Sequence, residues 1–119
     1  MAMYPIEACD LDLGKVVVGD EIYIHIRTAN GEVAVVDLRV DIVEEHELLR
    51  ERTIVATRPI VGSIRQYFTL KHYYDDDSKD LWSAKDLNLM PIPTDWPPGN
   101  GRPFHSSKEY YFCLLHTEA

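Results

Sequence analysis

Asp75-Asp76-Asp77-Ser78-Lys79-Asp80 is the densest cluster of potential ligand atoms in the chain. A calcium loop starting at Asp75 needs an oxygen ligand at its fifth position, Gly at its sixth and Glu at its twelfth. Those positions hold Lys79, Asp80 and Asp86, so the stretch reads as a solvated turn rather than a metal loop. The five histidines, His25, His46, His72, His105 and His116, include no His-Glu-x-x-His pair. His25 alternates with isoleucines on a polar face and is expected at the surface. Cys113 precedes His116 by three residues, but one Cys and one His do not complete a tetrahedral zinc site. Phe112, Leu114 and Leu115 surround Cys113, and an apolar setting makes a thiol inert, so core is preferred to nucleophile. Gly-x-Ser-x-Gly, phosphate-loop and dinucleotide fingerprints do not occur, and no cofactor is implied.

Two groups of side chains read better as contact surfaces. Tyr67 and Tyr73 share one face of a strand with Arg65, Thr69 and Lys71. That face is either ordinary cross-strand pairing, with Arg58 over Tyr67, or a Tyr/Arg patch of the kind enriched at hot spots. Residues 90–108 hold Pro91, Pro93, Pro97, Pro98, Gly99, Gly101 and Pro103 and fit no regular element. A loop this long is uncommon in a compact domain, and Trp96, Arg102 and Phe104 are anchor-type residues within it. Either it contacts a partner, or Trp96 and Phe104 fold back to plug a barrel end.

The charge distribution is informative. The chain has 119 residues, enough for one domain, with 12 Lys and Arg against 20 Asp and Glu, a net charge of −8. Residues 1–14, 44–52 and 75–80 carry −3, −2 and −3, and the remainder is neutral. An acidic balance argues against direct nucleic-acid binding and against anionic membranes. It fits a protein partner with a basic surface, either through separate acidic tips or through one joined face. Met-Ala-Met-Tyr-Pro-Ile-Glu has no basic and no apolar signal-peptide region. Two cysteines make no disulfide framework. Reduced thiols in a cytoplasmic protein are therefore expected, with a single Cys9–Cys113 bridge across the domain as the alternative.

The elements that position these residues are strands. Residues 16–28 and 33–43 alternate with period two around Ala29-Asn30-Gly31. A two-residue Asn30-Gly31 loop would set Ile24 against Asp37 and mix core with solvent. A three-residue loop with Gly31 left-handed in a bulge instead pairs Ile24 with Val36, Ile22 with Leu38, Glu21 with Arg39 and Tyr23 with Asp37. Residues 53–61 and 64–74 flank Gly62-Ser63, a type II′ signal. Pairing outward from Val61–Ile64 sets Thr57 against Phe68, Val55 against Leu70, Arg58 against Tyr67 and Ile60 against Arg65. Pro59 places that strand at an edge or in a bulge. Residues 44–52 read as a helical turn or wide loop, and 81–87 as a short helical turn with Ser83 and Asp86 as its capping pair. Residues 109–116 are apolar on both faces, which suits a central strand.

The expected fold is mainly β: a strongly bent antiparallel sheet or barrel of about five strands. Its layout, with a helical turn before the last strand, is similar to an SH3-like barrel. The expected function is a non-enzymatic interaction module for a basic protein surface, one form being inhibition of a nucleic-acid-binding complex. A small enzyme or ligand-binding barrel with a Tyr/His-lined pocket is the alternative. The candidate contact residues are Trp96, Arg102, Phe104, Asp75, Asp76, Asp77, Tyr67 and Tyr73.

A bulged first turn makes its own prediction. Gly31→Ala should lower stability by about 1 kcal/mol or more, because Ala is penalised at a left-handed position. Urea midpoints measure it, and an unchanged midpoint would exclude the bulged turn.

Overall fold

A computed structural model describes residues 3–7, 9–27, 33–61, 64–85 and 111–116. The strands are β1 (Tyr4–Glu7), β2 (Glu21–Arg27), β3 (Val33–His46), β4 (Glu51–Val61), β5 (Ile64–Tyr73), β6 (Leu81–Ala84) and β7 (Tyr111–His116). They close into a barrel in the order β1-β6-β5-β4-β3-β2-β7. The mainly β expectation holds, but the barrel has seven strands instead of about five.

The first hairpin has the register that face matching selects. Ile24 pairs with Val36, Ile22 with Leu38, Glu21 with Arg39 and Tyr23 with Asp37. Ile22, Ile24, Ile26, Val36 and Leu38 are all buried in the core. The turn at Gly31 lies outside the described residues.

The second hairpin departs from its expected register by one residue. Val61 still pairs with Ile64, but the register shifts between Pro59 and Val61. Thr57 therefore faces Tyr67, Ala56 faces Phe68, and Arg58 faces Gln66. The cause is the bulge that Pro59 invites by removing a ladder donor. The inward set of β5, Phe68 and Leu70, is as alternation requires, and it meets Ala56 and Ile54. The expected Arg58–Tyr67 stacking pair is lost with the shift.

Residues 44–52 are neither helix nor wide loop. β3 and β4 stay paired out to His46–Glu51 and turn tightly through 47–50. Residues 81–84 are a strand, β6, joined to both β1 and β5. The short helical element is instead a 3-10 turn at Asp77–Lys79, before β6. The capping partner proposed for Ser83, Asp86, lies outside the described residues, and Ser83 itself is buried within β6.

β7 is central, as two apolar faces require. It runs parallel to β2 and antiparallel to β1, and Cys113 and Leu115 are fully buried. The N-terminal acidic segment is more than a tip. It supplies β1, then Leu11, Leu13 and Val16, which are buried as part of the core. The strand expected from residue 16 begins at Glu21. His25 is half-buried instead of fully exposed, and this burial lowers its pKa.

The two cysteines meet: Cys9 is joined to Cys113 across a sequence separation of 104. Of the two sequence expectations, the single Cys9–Cys113 bridge is the one present, in place of reduced thiols. Among the described residues no helix is long and apolar enough to cross a membrane.

A bridge closing so long a loop stabilises by restricting the unfolded chain. Reduction should cost about 2–4 kcal/mol. Denatured, unreduced protein should show no titratable thiol. Two thiols in that titration would restore the reduced reading.

Candidate functional site

Asp80 organises one end of the barrel. Its side chain is almost fully buried, with Oδ1 accepting from the Tyr73 backbone N–H at 2.8 Å and Oδ2 lying 2.8 Å from His72 Nδ1. Its own carbonyl accepts from the Ile6 N–H at 3.0 Å. One residue thus holds the end of β5, the 3-10 turn and β1 together. Asp76 caps that turn, accepting from the Ser78 N–H at 3.1 Å and from the Ser78 hydroxyl. Burial pushes the Asp80 carboxyl above its ordinary pKa, against the opposing pull of His72 and the Tyr73 N–H. The Ser78 hydroxyl and N–H hold Asp76 below its ordinary value.

Between β1, the following segment and the 3-10 turn opens a cleft of about 560 Å³. Glu7, Asp10, Asp12, Asp77, Asp80, His72 and Ser78 provide its polar side chains, and among the described residues no lysine or arginine lines it. The chain approaches closely at Gly14, whose N–H donates to Asp12 Oδ1 at 3.1 Å. A Cβ there would stand 3.3 Å from that oxygen and 3.7 Å from His72 Nε2. Ionised carboxylates offer only acceptors, so the cleft suits a guest rich in donors.

The third acidic stretch is tied to the same end. Arg50 grips Asp75 with two hydrogen bonds, Nε to Oδ2 at 2.7 Å and NH2 to Oδ1 at 2.9 Å. This contact holds the Asp75 carboxyl below its ordinary pKa. The buried Arg52 guanidinium donates to the Leu13 carbonyl and lies 3.5 Å from Glu45. Tyr74 donates its hydroxyl to Glu45 at 3.4 Å. Residues 1–14, 44–52 and 75–80, which together carry the whole net charge, are therefore neighbours in space.

Asp75, Asp76 and Asp77 are exposed at this end. Tyr73 is half-buried beside it, whereas Tyr67 is 47% exposed. Six residues of strand separate these two tyrosines by about 20 Å, with Thr69 and Lys71 between them on the same face. Trp96, Arg102 and Phe104 lie outside the described residues. No tyrosine is among the described residues lining this cleft. Among the described residues no three His, Cys, Asp or Glu side chains are grouped to hold a metal ion. Sequence reasoning missed His72 and Asp80 as a pair. The signal was parity: His72 follows Phe68 and Leu70 on the inward face of β5. Compared with known families, curated proteins and solved structures, the chain matches none.

The Asp80 environment sets a pH dependence. A carboxyl whose folded pKa is raised contributes stability below its unfolded value of 3.8, and that contribution is lost as pH rises through the folded value. Across that window wild type should lose stability relative to Asp80→Asn. Urea midpoints between about pH 3 and 6 test this. The opposite slope would mean that the His72 and Tyr73 bonds outweigh burial.

Proposed function

We propose that this protein is a non-enzymatic interaction module that docks a basic protein surface on the acidic end of its barrel. The observation that carries this reading is a cleft lined by five carboxylates from two of the acidic stretches, 1–14 and 75–80, with the third, 44–52, tied to both through Arg52–Leu13 and Arg50–Asp75. Joined charge steers an oppositely charged partner over distances that scattered tips do not reach, and a low-dielectric cleft focuses the field. A lysine or arginine side chain fits a site rich in carboxylate acceptors. A partner whose basic surface otherwise holds nucleic acid would be blocked by such an end, which is the inhibitor form of this function. The His72–Asp80 pair supports a second reading, a barrel that binds a small cationic ligand. Trp96, Arg102 and Phe104 remain candidate anchors of the Pro-rich segment in either case.

Asp10, Glu47 and Asp77 represent the three acidic stretches, and their side chains carry no hydrogen bond or ion pair with the described residues. Neutralising them as Asp10→Asn, Glu47→Gln and Asp77→Asn should therefore leave the fold intact. Affinity capture from the native host identifies the partner, and stopped-flow mixing gives its association rate. The triple variant should associate more slowly than wild type at low salt. The difference should shrink as ionic strength rises, since screening acts over about 8 Å at physiological salt. Equal rates at every salt concentration would reject the acidic end as the docking surface.

A further inference from the structure

The tip of the β3–β4 hairpin combines exposed apolar side chains with a fixed backbone. Leu48 is 99% exposed and Leu49 is 69% exposed. A turn that only reverses the chain is served by polar residues, so two adjacent leucines in water need another reason. The next residue, Arg50, has φ of 52°, a left-handed conformation that side chains other than Gly and Asn rarely adopt. It is held there from two sides. Its guanidinium is gripped by Asp75, and its carbonyl accepts from the Tyr74 N–H at 3.1 Å. Its own N–H closes the turn onto the Glu47 carbonyl at 3.1 Å. The leucines are thus presented by a turn locked to the barrel end, which lowers the entropy lost when they are buried by something else.

We propose that Leu48 and Leu49 are the apolar anchor of this interaction surface, and that they enter an apolar pocket rimmed by lysine or arginine on a protein partner. The proposal rests on the reading of the acidic end as a docking surface and adds the residues that hold the complex once charge has steered it. Charge complementarity selects the occupant. Glu44, Glu45 and Glu47 are exposed around the tip, and the exposed Arg50 there is offset by Asp75, which leaves the tip net acidic. That charge repels an anionic bilayer and a second copy of the same tip, and it matches a cationic rim.

A cationic cyclodextrin, β-cyclodextrin carrying an amine at each primary position, has the proposed chemistry: an apolar cavity with an ammonium rim. Unmodified β-cyclodextrin keeps the cavity without charge, and heptalysine keeps charge without a cavity. Wild type and Leu48→Ser/Leu49→Ser are titrated with each and followed by NMR, with thermal unfolding confirming that the variant folds. The amino-cyclodextrin should shift the Leu48 and Leu49 signals in wild type and bind the double variant at least about fivefold more weakly. Unmodified β-cyclodextrin should bind wild type more weakly than its amine, and heptalysine should bind both proteins alike. Equal amino-cyclodextrin binding by both proteins, with heptalysine still binding, overturns the anchor and leaves the acidic docking surface standing. Binding of neither cation at low salt removes the docking surface and the anchor with it. Self-association in sedimentation, or attachment to phosphatidylcholine vesicles, that is lost in the double variant would assign the leucines to a second copy or to lipid and also overturns the proposal.

Discussion

Closure of the barrel depends on β7. Its neighbours are far apart in the chain: β1 covers Tyr4–Glu7 and β2 covers Glu21–Arg27. Without β7 each would be an open sheet edge with unpaired backbone groups. With it, every strand has two neighbours. The insertion pairs both edges of β7, and its inward face supplies Cys113 and Leu115 to the core. Cys113 sits on its inward side and is tied to Cys9, so the strand that closes the ring also anchors the segment that follows β1. That segment contributes Leu11, Leu13 and Val16 to the core and its acids to the cleft. Barrel closure and formation of the acidic end are therefore consequences of the same placement.

Two buried polar residues convert closure into a defined cleft. Asp80 ties β5, β1 and the 3-10 turn, and Arg52 ties β4 to the backbone at Leu13. Both are costly to bury alone, and both are surrounded by partners that offset the cost. The Ile6–Asp80 and Arg52–Leu13 bonds run between segments distant in sequence. They fix where the acidic stretches lie relative to one another, a task that apolar packing, being non-directional, performs less well.

The sequence discloses those parts of the fold where one local rule dominates. The β2–β3 register follows from alternation alone, because a slip would place Asp37 against Ile24 in the core. β4–β5 follows the same rule up to Pro59, where the bulge intervenes and moves each later pair by one. That bulge was foreseeable in kind from the proline, but its effect on register was not, since an inserted residue has no signature of its own. β1 and β6 are four-residue strands, too short for a period to show, and each exists because neighbouring edges need partners. The 3-10 turn escaped a helical reading of 81–87 because Leu81, Trp82 and Ala84 suit either state until β5 and β1 are in place on both sides.

For the site, the amounts of charge were legible and their arrangement was not. Counting acids divides the chain into three charged stretches and a neutral body, but says nothing about which stretches meet. Their meeting is decided by strand pairing, Glu51 with Tyr73 and β1 with β6, and the Arg50–Asp75 and Arg52–Leu13 hydrogen bonds add connections in which basic residues counted as charge dilution take part. Within 44–52 the two arginines point to different tasks. Arg52 is buried and structural, whereas Arg50 is exposed and fixes a turn whose leucines face solvent. The docking proposed above has two requirements. Long-range attraction needs charge that water reaches, and a lasting contact needs apolar surface that water leaves. The hairpin tip puts both within one turn of chain.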